Sequence, residues 1–322
     1  MPHAIRIHKN GGPEVLTYEE VPEAKPKAGE VRIKQTAIGL NFIDTYQRSG
    51  LYPLAMPLTL GSEAAGVVEA VGRGVKTLKV GDRVAYCGVI GAYTDSRVIA
   101  ANRLVKLPSW LDDQTAAAMM LKGMTAEYLI RRTYRVKKGD TVVFHAAAGG
   151  VGLIACQWLK QLGVNVIGTV GSKEKAALAK RHGCRHPVLY KTESLAKAVA
   201  KITKGKGVPV VYDSVGASTF EQSIDCLAPR GTFVSFGNAS GPVPPFNPGM
   251  LAQKGSLYFT RPTLVTYIAS REDLEKSARA LFSAVKKGVK IRVDQTFKLK
   301  DAVKAHQALE GRKTTGSTVL IP

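Results

Sequence analysis

The glycine-rich segment AAAGGVG, at residues 146–152, joins a short apolar strand-like stretch to a stretch with the apolar spacing of a helix. Small side chains let a bound pyrophosphate approach the backbone, and the free N–H groups of a helix N-terminus attract anions. The segment therefore predicts a dinucleotide-binding turn. Tight turns and close packing also require glycine, which is the alternative interpretation. The residues assigned to the pyrophosphate are Gly149, Gly150, Val151 and Gly152.

The end of the next predicted strand, at residues 165–170, lacks the carboxylate with which NAD-binding units hold the ribose 2′-hydroxyl. Gly171, Ser172 and Lys173 stand there, and Lys175 follows. Because an acid would repel a 2′-phosphate, whereas a hydroxyl and ammonium groups can bind one, the sequence favours NADPH over NADH. The two lysines could also be solvated residues in the first turn of the next helix.

Later strands of the same region end in residues that suit a nucleotide. Ligands of parallel sheets bind beyond the carboxyl ends of the strands. A hydroxyl or amide there can meet ribose and phosphate, and an aromatic ring can cover a base, although ordinary loops use the same residues. The candidates are Tyr190, Ser214, Phe236 and Asn238.

Residues 39–61, between two predicted strands, concentrate polar and aromatic side chains with glycine and proline, and are predicted to form a loop. Such residues gathered in one loop more often line a pocket than fill a core. The candidates for this pocket are Asn41, Asp44, Tyr46 and Tyr52.

The cysteines give no indication of a disulfide framework or a structural zinc lobe. The sequence has four cysteines, far apart and without a C-x-x-C pair. Cys184 lies between His182 and His186, but Gly183 and Pro187 indicate a helix-end turn, and no carboxylate stands beside it to complete a site. The sequence therefore predicts no metal.

The net charge of +21, from 46 Lys and Arg against 25 Asp and Glu, is the feature that an ordinary enzyme would not require. Basic surfaces attract phosphorylated cofactors, RNA or acidic membranes. The excess is dispersed, without interleaved aromatic residues, which favours a solvated charged surface. No apolar stretch is long enough to span a membrane, and the N-terminal residues lack the apolar core of a secretion signal, so a cytoplasmic location is expected.

The 322 residues allow two domains, and the pattern changes along the chain accordingly. Short β segments are predicted at residues 4–7, 16–21, 30–38, 66–71, 82–86 and 97–100. A helix at 111–132, broken by Gly123, would lead into the second domain. Strands and helices then alternate, with strands at 141–145, 165–170, 187–190, 208–213, 232–236 and 256–260.

This alternation predicts a doubly wound parallel sheet in the dinucleotide-binding order. The proline-rich residues 241–248 are predicted to form an irregular loop, followed by helices at 271–287 and 300–309. A final strand at 317–321 is predicted to return to the first domain, which would make the cofactor domain an insertion and place a cleft between the two halves.

Several segments together resemble one known family. They are HKNGGPEVL at 8–16, IGLNFIDTY at 38–46, RSGLY at 48–52, HAAAGGVG at 145–152, VYDSVG at 211–216 and GSTVLIP at 316–322. The sequence is similar over essentially its whole length to the quinone oxidoreductase (zeta-crystallin-like) branch of the zinc-independent medium-chain dehydrogenase/reductase family. The similarity is strongest to bacterial-type NADPH:quinone reductases.

The resemblance implies an α/β fold in which a GroES-like, β-rich catalytic domain at residues 1–124 and 265–322 accompanies a Rossmann NADPH-binding domain at 125–264. It also implies a homodimer joined through the cofactor-domain sheets. Zinc-dependent relatives carry a cysteine near Asn41 and Gly-His-Glu where this chain has Gly61, Ser62 and Glu63, so the resemblance again implies no zinc.

By matching position, the resemblance extends the set of site residues. The 2′-phosphate is assigned to Ser172, Lys175 and Tyr190, and the rest of the cofactor to Gly171, Ser214, Phe236, Asn238, Phe259 and Arg312. The nicotinamide and the quinone are assigned to Asn41, Asp44, Tyr46, Tyr52 and Thr125. None of these is an obvious nucleophile, so no covalent intermediate is expected.

Two other functions stay open from the sequence. An NADPH-dependent alkenal or enone reductase would bind an acceptor of the same flat, electrophilic shape. RNA binding, including binding to AU-rich RNA, would use the basic surface, as the wider family resemblance suggests.

Overall fold

A computed structural model describes residues 1–311 and 313–322 of the chain. The chain divides into two compact units. The first comprises Met1–Lys122, Ile268–Arg279 and Ile291–Pro322, and the second comprises Gly123–Tyr267 and Ala280–Lys290. No helix within the described part of the chain combines the length and apolar content needed to span a bilayer.

The first unit begins with strands and one short helix. In chain order they are β1 (His3–Ile7), β2 (Thr17–Glu20), β3 (Glu30–Leu40), α1 (Phe42–Ser49), β4 (Leu58–Thr59), β5 (Glu63–Val71), β6 (Arg83–Cys87), β7 (Ser96–Ala100) and β8 (Val105–Lys106). The helix α2 (Asp113–Tyr128) follows and crosses into the second unit. The strands confirm the predicted β-rich character of this part of the chain.

The central strand of the first unit is β3. Val31 and Ile33 alternate with polar neighbours and are fully buried, as a strand with one core-facing side requires. A change of register against β5, between Gln35 and Ala37, shifts the phase so that Ile38 and Leu40 also enter the core. The residues that follow β3 are thereby fixed against the core, and these are the first of the predicted pocket.

The second unit alternates strands and helices. Its elements are β9 (Thr141–Phe144), α3 (Gly150–Gln161), β10 (Asn165–Val170), α4 (Lys173–Arg181), β11 (His186–Leu189), α5 (Leu195–Thr203), β12 (Val208–Asp213), α6 (Phe220–Ile224), β13 (Leu227–Ser235), α7 (Gly249–Gln253), β14 (Tyr258–Thr260) and α8 (Leu264–Tyr267). The strands are parallel, in the order β11-β10-β9-β12-β13-β14. This is the dinucleotide-binding order, so the predicted doubly wound sheet is confirmed.

The remaining elements are α9 (Arg271–Lys286), β15 (Val293–Lys298), α10 (Ala302–Glu310) and β16 (Ser317–Ile321). The larger sheet of the first unit has the order β15-β16-β3-β5-β6-β8, with β7 also paired to β3, and the smaller sheet has the order β2-β1-β4. Because β16 pairs with β3, the predicted return of the last strand to the first part of the chain is confirmed.

Two local predictions were wrong. Residues 39–61 were predicted to form a loop, but they contain the helix α1, which begins after Asn41 and ends at Gly50 in a left-handed conformation. Gly123 was predicted to break a helix, but α2 continues through it. A Cβ atom on Gly123 would lie 2.4 Å from Leu281 Cδ1, so this glycine instead allows α9 to approach α2 closely.

Candidate active site

The predicted dinucleotide turn lies between the carboxyl end of β9 and α3. Gly149 immediately precedes α3, and its carbonyl accepts the Leu153 N–H at 2.9 Å. A Cβ atom on Gly149 would meet nothing closer than the Ala146 carbonyl oxygen at 3.2 Å, whereas one on Gly152 would lie 2.3 Å from that oxygen. Gly152 therefore allows α3 to pack on the turn. Gly149 is the less crowded of the two, since its Cβ atom would make a tight contact without a severe clash, and it lies at a helix N-terminus that favours anions.

The residues predicted to hold a 2′-phosphate lie after β10 and β11. Ser172 caps α4, and its Oγ accepts the backbone N–H of Lys175 at 3.3 Å. A Cβ atom on Gly171 would lie 2.9 Å from the Tyr190 hydroxyl, so the tyrosine reaches across to this turn. The structure therefore brings the ends of these neighbouring strands together, and Tyr190 remains partly exposed.

Glu174, which was not among the predicted residues, lies next to Lys175 in the same helix turn. Glu174 is exposed in the first turn of α4, and a hydrogen bond from the Ser172 side chain holds the pKa of its carboxyl below the usual range. A phosphate bound here would gain the charge of Lys175 but would also meet one like charge and would compete for the Ser172 hydroxyl.

The ends of β12 and β13 hold the next predicted residues. Phe236 donates its backbone N–H to the Asp213 carbonyl at 2.7 Å, and its ring lies 5.7 Å from that of Phe144. A Cβ atom on Gly237 would lie 2.6 Å from the Ser214 carbonyl oxygen, and Ala239 donates its N–H to the same oxygen at 3.2 Å. Ser214, Phe236 and Asn238 are thus held on two adjoining loops at the carboxyl edge of the sheet.

A buried polar cluster beneath these loops was missed from the sequence. His145 contacts the Thr169 hydroxyl through Nδ1 at 3.1 Å and the Ser223 hydroxyl through Nε2 at 2.8 Å. Asp213 accepts hydrogen bonds from the backbone N–H of Val215 at 2.7 Å and from Ser223 at 3.2 Å. Burial lowers the pKa of His145 and favours its neutral form, against the pull of Asp213.

This cluster ties β9, β10 and β12 together directly below the cofactor turn. His145 follows β9, Thr169 lies in β10 and Asp213 ends β12. The signal that could have revealed it is a polar residue at or near the carboxyl end of each of three apolar strands. Because the partners are far apart in sequence, only the parallel order of the strands brings them together.

The remaining predicted cofactor residues are placed differently. Phe259 is half-buried in β14, and its ring packs against those of Phe233 and Phe246 at 5.4 and 5.2 Å. Thr125 is buried in α2. Arg312 lies outside the described residues. Their contacts with cofactor or acceptor stay predictions.

In the first unit, the structure brings the predicted pocket residues together around α1. The Asn41 backbone N–H donates to Asp44 Oδ2 at 2.9 Å, which fixes the start of the helix. The rings of Tyr46 and Tyr52 meet edge to face with centroids 5.3 Å apart, and the Tyr52 N–H donates to the Tyr46 carbonyl at 3.1 Å. The two tyrosines form a joined aromatic surface beside buried polar side chains.

Glu63 and Lys122 complete this group and were not predicted. The Glu63 carboxylate is fully buried and accepts the Asn41 amide at 2.8 Å and the Leu121 N–H at 2.6 Å. Lys122 Nζ lies 3.4 Å from Glu63 Oε2 and donates to the Leu40 carbonyl at 3.1 Å. Burial raises the pKa of Glu63, against the Lys122 ammonium and these hydrogen bonds. The glutamate and lysine are 59 residues apart, so the sequence alone gave no reason to pair them.

Two family models match the chain. The model described as "Alcohol dehydrogenase GroES-like domain" matches residues 27–109, and the model described as "Zinc-binding dehydrogenase" matches residues 150–284. The first range holds β3 to β8, and the second begins in the glycine turn. The GroES-like prediction for the β-rich part is thereby confirmed.

The residues present do not fit the zinc ion that the second description implies. Within residues 1–311 and 313–322, no three His, Cys, Asp or Glu side chains are grouped so that they could hold a metal. At the positions where the family resemblance would place zinc ligands, Asn41 donates its amide to Glu63, and Ser62 bears a hydroxyl. The Lys122 ammonium already lies beside the same carboxylate. Amide, hydroxyl and ammonium groups are not the thiolate and imidazole ligands that zinc prefers.

Similar proteins cover the whole chain. The chain is 55% identical to quinone oxidoreductase of Pseudomonas aeruginosa, over 100% of both chains, and 52% identical to quinone oxidoreductase 1 of Escherichia coli, over 99% of both. It is 47% identical to 2-haloacrylate reductase of a Burkholderia species, over 99% of this chain and 98% of that one.

Solved structures agree with these relatives. The crystal structure of Escherichia coli quinone oxidoreductase complexed with NADPH superimposes with a TM-score of 0.97 at 51% identity, over 99% of this chain and 100% of that chain. Pseudomonas syringae quinone oxidoreductase gives a TM-score of 0.98 at 52% identity, over 100% of both. The chain therefore belongs to the quinone oxidoreductase branch of the medium-chain dehydrogenase/reductase family.

Proposed function

We propose that this protein is an enzyme that reduces quinones with NADPH and without zinc. The observation that carries the proposal is the glycine turn at the N-terminus of α3, in a chain more than 50% identical over its whole length to quinone oxidoreductases. The Escherichia coli relative was crystallised with NADPH, and its structure matches this one throughout.

The second unit supplies the cofactor site in this proposal. Gly149, Gly150, Val151 and Gly152 receive the pyrophosphate, because glycines let it approach the backbone closely and the helix N-terminus favours its charge. Ser172, Lys175 and Tyr190 receive the 2′-phosphate, and Gly171, Ser214, Phe236, Asn238 and Phe259 border the rest of the nucleotide. When bound, NADPH supplies the electrons for reduction.

The first unit supplies most of the acceptor site. Tyr46 and Tyr52 offer aromatic surface to a flat quinone ring, and Asn41 offers polar contact beside them. Asp44 and Thr125 complete the proposed set. These residues orient the acceptor and exclude water, since none is placed as a nucleophile.

The first experiment is a titration of the purified protein with NADPH and NADH, followed by intrinsic tryptophan fluorescence. Each nucleotide is then tested as donor to 1,4-benzoquinone and 9,10-phenanthrenequinone. We expect tight binding of NADPH and its quinone-dependent oxidation. Binding of neither nucleotide would overturn the cofactor assignment, and NADPH binding without quinone turnover would overturn only the acceptor.

A second candidate activity is the reduction of activated alkenes. The 47% identity to 2-haloacrylate reductase favours it, since an acrylate is also a small conjugated acceptor. Steady-state kinetics with quinones, short 2-alkenals and 2-haloacrylates separates the two. We expect the largest kcat/KM for a quinone, and a much larger value for an alkene would replace our assignment.

The proposal extends to organisation and location. We assign residues 1–124 and 265–322 to the catalytic domain and 125–264 to the NADPH domain, in a cytoplasmic homodimer. An exposed edge supports the dimer: β14 ends the sheet of the second unit, and 61% of the Tyr258 surface on it is exposed. A light-scattering mass equal to one chain would contradict the dimer.

A further inference from the structure

A chain of polar side chains runs through the first unit from Glu310, whose side chain is partly exposed, to the buried Asp44. Arg48 donates to both carboxylate oxygens of Glu310, at 3.0 and 2.7 Å, and its Nη1 lies 2.9 Å from His306 Nδ1. His306 Nε2 lies 3.1 Å from the Tyr93 hydroxyl, which lies 2.9 Å from Asp44 Oδ2. Arg48, His306, Tyr93 and Asp44 are all buried. Such a set costs free energy to bury unless its groups are hydrogen-bonded in a consistent direction.

The arginine fixes that direction. A guanidinium only donates hydrogen bonds, so His306 Nδ1 must accept from Arg48. Burial, together with the positive charge of Arg48, lowers the pKa of His306 to about 3, so the ring is neutral and carries its single hydrogen on Nε2. That hydrogen points to the Tyr93 oxygen, and the Tyr93 hydroxyl then donates to Asp44. From Arg48 onward, the hydrogen bonds through His306 and Tyr93 therefore all run in one direction and end at Asp44 Oδ2.

The two oxygens of Asp44 consequently differ. Oδ2 accepts the Tyr93 hydroxyl and the Asn41 N–H, each at 2.9 Å. Oδ1 is buried and has no hydrogen-bond partner within the described part of the chain. Since an ionised carboxylate would leave this oxygen without a donor, a proton on the carboxyl group resides on Oδ1. The positions of the two donors thus select the oxygen that is protonated.

Charged groups on several elements face this carboxyl. Lys122 on α2 and Glu63 on β5 form one ion pair, and Arg48 on α1 and Glu310 on α10 form another. Burial raises the pKa of Asp44 to about 7, against hydrogen bonds from Asn41 and Tyr93 and the charge of Lys122, while Glu63 raises it further. His306 stays neutral and the Tyr93 pKa is raised well above its usual value by burial. Asp44 is therefore a member of this set whose charge changes near neutral pH, and its replacement by Asn distinguishes it from Glu63, whose pKa burial also raises.

We propose that Asp44 holds, on its Oδ1 atom, the proton that accompanies reduction of the acceptor, and that Arg48, His306 and Tyr93 are positioning residues that occupy Oδ2. The inference rests on the proposed function and deepens it. Reduction of a quinone by NADPH transfers two electrons and one hydrogen, and consumes one further proton. That proton leaves the Asp44 O–H bond and a new O–H bond forms on the acceptor oxygen. Because Oδ1 is buried, the transfer requires that the side chains covering it move aside when the acceptor binds, and the carboxylate is reprotonated from solvent by the same opening.

The charges support this role. Each ion pair around Asp44 is neutral by itself, so the protonated carboxyl leaves the surroundings without net charge. Negative charge that develops on the acceptor oxygen would be opposed by an ionised Asp44 and is relieved by a protonated one. The protonated form is thus the active form, and activity should fall as pH rises through the pKa of Asp44.

The first test measures the carboxyl group directly, without substrate. Difference infrared spectroscopy of the full chain follows the protonated carboxyl band during a pH titration. We expect a band that disappears near pH 7 in the wild type and is absent in Asp44→Asn. Tyr93→Phe removes one donor to the ionised form, so the transition should move up by about one pH unit. Tyr86→Phe is the matched control, because this buried tyrosine donates to Gln35 instead.

The second test follows kcat for quinone reduction against pH in the same four proteins. We expect the alkaline fall in kcat to move up with the carboxyl band in Tyr93→Phe and to stay in place in Tyr86→Phe. Asp44→Asn should lower kcat roughly 10²-fold or more with an unchanged KM for NADPH. If the band moves and the fall in kcat does not, or if no band titrates near neutrality, this inference is overturned. Absence of quinone turnover in the wild type would instead overturn the proposed function.

Discussion

Lys175 and Lys197 occupy equivalent positions at the starts of the successive helices α4 and α5. Comparing their variants therefore separates the effect of the Lys175 charge on the cofactor from any effect on helix capping. Ser172 accepts the Lys175 N–H at 3.3 Å, and Ser194 accepts the Lys197 N–H at 3.4 Å. We expect Lys175→Ala to raise the KM for NADPH about tenfold or more, because a charge-assisted hydrogen bond to a phosphate contributes about 1.5–3 kcal/mol. The KM for NADH, measured by steady-state kinetics, should hardly change.

Lys197→Ala provides the control, and it should leave both values of KM as in the wild type. Equal effects of Lys175→Ala on the two nucleotides would show that this lysine does not meet the 2′-phosphate. The neighbouring Glu174 offers a further comparison, since its removal should favour NADPH over NADH if the phosphate binds beside it.

Single side chains show where interpretation of the sequence succeeds and where it stops. Ser172 and Lys175 were recognisable because a strand end and a helix start place them in one short segment. Glu63 and Lys122 were not recognisable, because a buried carboxylate and its ammonium partner come from distant strands and helices. The same is true of His306, whose tautomer follows from an arginine 258 residues earlier.

Among the elements, the glycine turn before α3 has two tasks. Gly149 is proposed to admit the pyrophosphate, and Gly152 allows α3 to pack on the turn. We expect Gly149→Val to fold with a small shift of the Ala146 carbonyl, since Gly149 already has an extended backbone and a Cβ atom there would lie 3.2 Å from that oxygen. We expect it to weaken NADPH binding strongly, measured by fluorescence titration, because the side chain occupies the space of the pyrophosphate. Undiminished affinity in a folded Gly149→Val protein would remove the cofactor assignment.

Gly152→Ala is the matched variant, and it is expected to lower the stability of the fold instead of blocking the cofactor. Its Cβ atom would lie 2.3 Å from the Ala146 carbonyl oxygen, so α3 and the turn must separate. We expect a loss of about 1–3 kcal/mol in the free energy of unfolding, as for other overpacked sites, measured by chemical denaturation. A Gly152→Ala protein as stable as the wild type would contradict this expectation, and would show that α3 and the turn can separate at little cost in free energy.

The elements that could be predicted are those with a long periodic pattern. The order of the parallel strands followed from alternation and handedness alone. The helix α1 could not be predicted, since eight residues rarely form a helix without tertiary contacts. Its stability comes from remote partners such as Glu310, which holds Arg48 from another helix. The prediction for Gly123 was wrong for the same reason. The absence of a side chain there makes room for Leu281, which is remote in sequence.

At the level of the whole molecule, the net charge of +21 is not explained by quinone reduction. We expect association with RNA or any other polyanion to be weak, indifferent to sequence and strongly weakened by salt, as dispersed charge requires. Filter binding of an AU-rich RNA and a matched GC-rich RNA over a salt series measures this. A preference for one sequence that persists at physiological salt would instead indicate a specific RNA site.

The pairing of β16 with β3 affects how the chain can fold during its synthesis. Residues of β16, Ser317–Ile321, leave the ribosome after every residue of the second unit, which ends at Lys290. The second unit can therefore complete its sheet first. During that time β3 can pair with β5 and β7 but still lacks β16 beside residues 38–40. During that interval the open edge of β3 can pair with a strand of another chain. A chaperone that covered this edge would prevent such mispairing.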